Sequence, residues 1–355
     1  MRRDKITYKS TGIDINKIHR VQNSIGKIVS LSHSFLTYGK VISGFGHYAG
    51  LLEFDNKIFA LHTDGVGTKI IVSQMMDRFD TVGIDCIAMN VNDIICVGAV
   101  PGGFVDYIAI RIPDSTLLRN IAMGLVKGAK EANVPIIGGE TAVVPDLLAD
   151  NNNAKTFDLV GMAFGVVQNK NELILGNKIR KGDAILGIES SGLHSNGYTL
   201  ARKVLLSRYS INQFINDMNQ TIGDMMLTPT RIYVRPIIEL IKKNKTPVHG
   251  LLHVTGGSFT KFSRLNKAVD YKLDNLPAPA GIFDLIQREG HIQTKEMYRT
   301  FNMGIGYCIV LPQSHVDNAI DIIEKHGMWC SRIGHVEGKG TGQVQVRVLD
   351  RNFTL

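Results

Sequence analysis

One stretch limits what this chain can become. Residues 83–99 are apolar apart from a few acids and amides, and the apolar positions 84, 87, 88, 91, 94 and 95 fall at helical spacing. The pattern predicts a buried helix with polar groups built into it. Successive residues turn by about 100°, so Asp85, Met89 and Asn92 share nearly one face and Asp93 lies a notch away. A buried carboxylate is costly unless it is paired or holds a cation. The stretch therefore reads as a site, or else as acids that bond to loop amides or sit at a solvated edge. Just upstream, a short apolar strand ending at Leu61 and His62 leads into the loop Thr63-Asp64-Gly65-Val66-Gly67-Thr68-Lys69. A carboxylate, a hydroxyl and an ammonium in a glycine-interrupted loop suit magnesium and phosphate.

The rest of the chain sets bounds on this reading. Its 355 residues are enough for about two domains. With 44% hydrophobic and 20% charged residues the composition is that of a globular protein. No run approaches the ~18 apolar residues of a membrane span, and the start leads into no apolar signal region, so a cytoplasmic protein without membrane contact is expected. The net charge of +8 suits phosphate-bearing ligands, but the basic residues are scattered and not interleaved with aromatics, which argues against nucleic acid. Cysteines 86, 96, 308 and 330 have neither zinc nor redox spacing and read as buried thiols.

Along the chain, the first forty residues look like a flexible arm, followed by a mobile glycine loop at 43–50 that includes Gly44 and Gly46. That loop fits G-x-G-x-x-A, but a strand (51–61) follows where a dinucleotide site needs a helix, so a Rossmann reading fails. Further strands are expected at 102–112, 134–137 and 157–167. A helix capped by Asp114 or Ser115 should run to about Asn133, with Gly124 and Gly128 permitting close packing. Gly138-Gly139-Glu140-Thr141 should end a strand where the backbone can approach a ligand. The first domain, including the arm and flap over 1–50, is expected to span 1–169 and the second 170–355. In the second, strand 183–189 leads into Ser190-Ser191-Gly192-Leu193-His194-Ser195-Asn196-Gly197-Tyr198, an anion site or a plain helix cap. A helix over 228–241, kinked by Pro236, precedes strand 250–254 and the turn Thr255-Gly256-Gly257-Ser258. His253 reads as a packed strand histidine. The segment 296–306, strand 307–311, a helix to His326 and strands around Ile333 and Val344 complete the chain. A Walker A loop is absent.

Taken in order, the 63–69 loop, the 83–99 helix, the 138–141 turn, the 191–198 loop and the 296–306 segment resemble aminoimidazole ribonucleotide synthetase, the phosphoribosylformylglycinamidine cyclo-ligase of purine synthesis. The likeness covers about residues 8–340. It implies an α/β (α+β type) two-domain ATP-dependent synthetase fold whose first domain forms a shared barrel across a homodimer. It further implies ATP and Mg2+, with Asp64, Asp93 and Glu140 on the metal and phosphate side. Gly44, Gly46, Gly65, Gly67, Thr68, Lys69, Asn92 and Gly139 would complete the nucleotide site. Ser191, His194, Ser195, Asn196, Thr255, Gly256 and Gly257 would meet the ribonucleotide. Lys69 and His194 are the catalytic candidates, His194 as base or as phosphate ligand.

The chain departs from the family pattern in places set away from the metal block. Ser258 stands for a third glycine, Lys261 and Phe262 for an acid and an amide, and Ala142-Val143-Val144 for a segment with an acid and a methionine before Pro145. The implied reaction is ATP-dependent closure of formylglycinamidine ribonucleotide through phosphorylation of the formyl amide oxygen. A non-catalytic ATP-binding relative, or a kinase or synthetase with another substrate, is the alternative.

Overall fold

The computed structural model describes residues 12, 14–44, 46–148, 155–279 and 281–355. Residues 1–11 of the expected arm and Phe45 of the glycine loop lie outside them, as does the stretch 149–154. The Asp14 carboxylate accepts from the Lys17 N–H and opens α1 (Ile15–Val29), which a 3-10 turn, Ser30–Phe35, extends. This part of the expected arm is thus a helix. Its apolar Ile18, Val21, Ile25 and Ile28 do recur at helical spacing, but they are exposed.

After β1 (Lys40–Val41), the single strand expected over 51–61 is a hairpin of β2 (Gly50–Phe54) and β3 (Lys57–Gly65). Asp55 and Asn56 turn it with φ of 46° and 64°, the left-handed pair that a two-residue hairpin requires. β3 continues through Thr63 and Asp64, so the expected loop shrinks to the residues before α2 (Lys69–Met75).

Next come α3 (Asp80–Cys96), β4 (Val100–Ile110), α4 (Ser115–Ala132), β5 (Ile136–Val143) and β6 (Phe157–Val167). Asp114 caps α4 and Asn133 closes it at φ 54°. Gly138 to Thr141 lie inside β5 rather than in a turn after it. The expected glycine packing is observed, since α3 and α4 touch backbone to backbone. A Cβ on Gly124 would stand 1.8 Å from the Asp80 carbonyl oxygen.

The first sheet has the order β1-β2-β3-β6-β4-β5. Its inner face, carrying Ile58, Ala60, Leu159 and Ala163, is covered by α3. Its outer face leaves Leu61, Tyr107 and Met162 exposed.

The second sheet, β10-β12-β7-β13-β11-β14-β15, is built from β7 (Ala184–Glu189), β10 (Gly250–His253), β11 (Val269–Leu273), β12 (Ile305–Leu311), β13 (Cys330–Lys339), β14 (Val344–Val348) and β15 (Arg351–Thr354). Around it lie α5 (Tyr198–Leu205), a hairpin of β8 (Phe214–Ile215) and β9 (Gln220–Thr221), α6 (Ile222–Leu227), α7 (Val234–Ile238), α8 (Phe262–Leu265), α9 (Ile282–Gly290), α10 (Thr294–Thr300) and α11 (Val316–Glu324). The helix expected over 228–241 begins only at Val234. Pro236 then falls in its first turn, where a missing N–H is harmless, and a π turn, Glu239–Lys243, follows in place of a kink. All four cysteines are free and buried, as expected. No helix among the described residues is long and apolar enough to cross a membrane.

Candidate functional site

Every residue of α3 from Thr81 to Cys96 is buried. Its polar side chains are spent mainly on the second sheet's surroundings. One Asp85 oxygen accepts from the Thr230 N–H at 2.7 Å and from the Thr230 hydroxyl at 2.6 Å, and the other lies 2.7 Å from the Lys69 ammonium. Asn92 accepts from the Tyr233 N–H at 2.9 Å and donates to the Arg231 carbonyl at 2.9 Å. Asp93 binds His253 Nδ1 at 2.7 Å, and Cys96 lies 3.2 Å from the Tyr307 hydroxyl. The shared face foreseen in the sequence exists, and it docks a neighbouring domain.

These contacts correct two assignments. Lys69 is 0% exposed and also donates to the carbonyls of His194 at 3.2 Å and Thr228 at 2.7 Å. Its three hydrogens have partners, so no free ammonium reaches toward a phosphate. Asn92 is likewise a clamp on the 231–233 backbone and has no amide to spare for a nucleotide.

Sheet alternation separates the three carboxylates expected to hold magnesium. Asp64, Gly161, Asp106 and Gly139 are register partners across β3, β6, β4 and β5 and share the inner face. Glu140, opposite Tyr107, points to the outer face, and its carboxylate accepts from the Thr141 N–H. Three strand spacings put β3 and β5 about 14 Å apart. Among the described residues no group of three or more metal-type side chains comes together. The set Asp64, Asp93 and Glu140 is therefore not one coordination shell within a single chain.

Asp64 and Asp93 do belong to one buried group. Burial pushes the Asp64 carboxyl up, and the charge of Asp93 adds to that rise. For Asp93, burial works in the same direction but is outweighed by His62, the His253 hydrogen bond and Lys261, which hold the carboxyl at about 2. His62 Nε2 lies 3.4 Å from the second Asp93 oxygen, and its side chain is 18% exposed. Burial lowers the His253 imidazole, so it is a neutral ring that gives its Nδ1 proton to Asp93. Lys261 sits nearby, its ammonium donating to the Thr255 hydroxyl. The departure at Lys261 is thus beside the acidic group and not remote from it. Sequence reasoning had His253 right as a packed histidine, but missed His62 and Asp106, which the register of β3 and β4 places in line with Asp64.

The loop that follows β7 is ordered by the second domain itself. Asn302 accepts from the Ser190 hydroxyl and donates to the Gly192 carbonyl, at 2.9 and 2.8 Å. Ser191 donates to the Pro229 carbonyl at 2.5 Å, and Ser195 lies 3.2 Å from the Thr230 hydroxyl. His194 is 0% exposed at φ 60°; its Nε2 accepts from the Ser191 N–H at 3.3 Å. Burial drives this imidazole well below its usual range. The ring is thus packed inside the loop, with its Nδ1 left without a partner among the described residues.

Asn196 and Gly256 do adjoin, because a Cβ on Gly256 would stand 3.1 Å from the Asn196 side-chain oxygen. Gly257 has φ of 85°, and Ser258 is left-handed at 48° with its hydroxyl donating to the Phe301 carbonyl at 2.7 Å. Thr68 lies 3.4 Å from Thr199 by their hydroxyls, and Gly67 takes φ of 69° before α2. Gly65 donates its N–H to the Asp64 carboxylate at 2.8 Å. In the glycine loop, neither Gly44 nor Gly46 has a neighbour that a Cβ would meet within 4 Å. A cleft of about 740 Å³ opens between the 190–192 loop and Pro277, Gly281 and Phe283.

Comparison with known proteins agrees with this layout. The family described as AIR synthase related protein, N-terminal domain, matches residues 46–167, and its C-terminal counterpart matches residues 180–347. The phosphoribosylformylglycinamidine cyclo-ligase of Methanocaldococcus jannaschii is 44% identical over 359 residues, covering 99% of each chain. That of Pyrococcus horikoshii is 44% identical over 322 residues, covering 90% of this chain and 92% of its own. Among solved structures, the hydrogenase maturation protein HypE in complex with ATP superposes with a TM-score of 0.61 at 19% identity, over 84% of each chain. A thiamine-monophosphate kinase from Stenotrophomonas maltophilia gives 0.61 at 18%, over 86% of this chain and 90% of its own. The last two likenesses bear on the fold alone.

Proposed function

The chain belongs to the AIR synthase family, and from that premise we propose how its own residues serve the family's ring closure. The activity is ATP-dependent conversion of formylglycinamidine ribonucleotide to aminoimidazole ribonucleotide, with ADP and phosphate released, in purine biosynthesis. The observation that carries it is 44% identity to a cyclo-ligase across 99% of both chains. The formamide carbon is a poor electrophile and its oxygen a poor leaving group. Moving the γ-phosphoryl of ATP onto that oxygen remedies both, after which the adjacent amidine nitrogen attacks within the same molecule and phosphate departs. Magnesium would accompany the ATP and offset phosphate charge, but Asp64, Asp93 and Glu140 do not form one shell for it within a single chain.

The ring-forming nitrogen must lose a proton. His194 and His253 are sealed, whereas His62 is partly exposed beside the Asp93 carboxylate, which is held low at about 2. His62 is the proton acceptor of this proposal, with Asp93 holding its ring and stabilising the imidazolium. Asp64, raised by burial and by Asp93, faces the same space.

The outer face of the first sheet, with Leu61, Tyr107 and Met162 uncovered, supports a homodimer in which a second copy covers it. A cytoplasmic enzyme with a small-molecule substrate completes the reading. Incubation of the full chain with formylglycinamidine ribonucleotide and magnesium-ATP should release ADP and aminoimidazole ribonucleotide in equal amounts. ATP binding without ADP release would instead identify a non-catalytic relative. His62→Gln should lower kcat by about 100-fold with KM little changed, and Tyr107→Asp should shift sedimentation toward the monomer.

A further inference from the structure

Away from the acidic group, a cavity of about 420 Å³ opens where the last turns of α4 meet the start of α7 and the 326–328 segment after α11. Its size suits a small organic ligand. Lys127 and Lys130, one helical turn apart on α4, line it together with Arg235 of α7. Neither lysine has an ion pair or a side-chain hydrogen bond among the described residues. Arg235 donates from Nε to the Glu131 carbonyl at 2.8 Å and from Nη2 to the Lys130 carbonyl at 2.7 Å, which ties α7 to the end of α4. Its Nη1 hydrogens remain uncommitted among the described residues. Glu131 is the carboxylate among the lining residues, so three cations face one anion. Burial pushes the Glu131 carboxyl up, against the pull of Arg231, Arg235 and Lys127. Cations gathered in this proportion favour a further anion between them.

The rest of the lining has a different character. Ile232, Pro236 and Met328 are buried and supply an apolar wall. His326 also lines the cavity, tethered through Nε2 to Glu239 at 3.1 Å. A basic wall beside an apolar one, with a carboxylate able to accept from a hydroxyl or amino group, matches a phosphate ester that carries a flat apolar body. The place of Ile232 in the chain matters too. It belongs to the segment that α3 clamps, where Asp85 holds Thr230 and Asn92 holds Arg231 and Tyr233 by their backbones. An occupant resting on Ile232 therefore bears on the stretch that joins the two halves of the molecule.

We propose that this cavity is a second ligand site, sharing no residue with the group around Asp64 and Asp93, and that it takes a nucleoside monophosphate. The phosphate lies against Lys127, Lys130 and Arg235, which offer it charge-assisted hydrogen bonds, and the base lies over Ile232, Pro236 and Met328. A sugar hydroxyl has the Glu131 carboxylate as its acceptor. Such a ligand spans α4 and α7, so its binding stabilises the docked arrangement of the two halves. The site stands independently of the ring-closing chemistry.

The test is titration calorimetry of the full chain with AMP at constant ionic strength, with magnesium-ADP present in saturating amount to fill the nucleotide site of the ring-closing reaction. Inorganic phosphate and adenosine serve as partial probes. AMP should bind the parent once per chain, and a Lys127→Gln, Lys130→Gln double variant should weaken it by about tenfold. A Lys267→Gln, Lys295→Gln variant makes the same change in net charge at exposed positions outside the cavity, and it should bind AMP within about twofold of the parent. Phosphate should bind more weakly than AMP and lose affinity in the cavity variant alone, while adenosine should bind weakest of the three. Without AMP, the cavity variant should keep the parent's kcat and KM. Absence of AMP binding at millimolar concentration overturns the proposal, as does equal weakening by the two lysine pairs, which marks general attraction of anions by the whole charge. Phosphate bound as tightly as AMP overturns the place given to the base. A chain that binds AMP through Lys127 and Lys130 yet forms no aminoimidazole ribonucleotide overturns the ring-closing function and leaves this site standing.

Discussion

Replacing Asp93 by asparagine keeps the shape of the side chain and removes its charge, which the structure shows to be a matter of stability as well as chemistry. The carboxyl is held at about 2 against an ordinary 3.8. That depression corresponds to about 2 kcal/mol favouring the folded state. Because the folded value is the lower one, the contribution is complete above pH 3.8 and disappears as pH falls through about 2. Losing the anion also strands His253 and Lys261, so Asp93→Asn should cost about 3 kcal/mol at pH 7. At pH 3 the gap from the parent should have narrowed by about 1 kcal/mol, half of the titrating part. Urea unfolding followed by circular dichroism at the two pH values measures both quantities. A variant as stable as the parent at neutral pH, or a gap that does not change with pH, would refute the pairing argument.

Lys69→Met should destabilise by 3 kcal/mol or more, about the cost of leaving the Asp85 charge buried alone, and a Lys69→Met, Asp85→Leu double variant should recover much of it in urea unfolding. Any folded Lys69→Met protein should keep its KM for ATP, since the ammonium is engaged elsewhere. Gly124→Ala should cost about 3 kcal/mol, because a Cβ 1.8 Å from the Asp80 carbonyl forces α3 and α4 apart. Ser258→Gly should stay within about 0.5 kcal/mol of the parent, relief of a left-handed serine offsetting the lost bond to Phe301, while Ser258→Ala should lose about 1 kcal/mol.

How much of this was legible in the sequence depended on the range of the interaction. The helix over 83–99 announced itself through apolar period, and Asp114 and Asn133 marked the ends of α4 through local capping chemistry. The 51–61 segment misled because Asp55-Asn56 is a turn signal embedded in continuous strand-like residues. The helical period of α1 was present but faced solvent, so it carried no burial signal. At the site, the residue types were legible and the distant partners of Asp85 and Asn92 were not. Asp85 and Asn92 look like ligands in one dimension, and only the arrival of residues 230–233, some 140 positions later, makes them clamps. Glu140 and Asp64 differ in which face of the sheet they occupy, a matter of register. His62 is missed for the converse reason: its partner, Asp93, is on another element.

α3 has a consequence for how such a chain can be divided. A cut near residue 169 falls between the two sheets, yet it would leave Asp85, Asn92, Asp93 and Cys96 facing water on one fragment and Thr230, Tyr233, His253 and Tyr307 unanswered on the other. The covalent boundary is therefore not a cooperative boundary. In hydrogen exchange the amides of α3 and of β10 should open together, as one unit that draws its members from both halves.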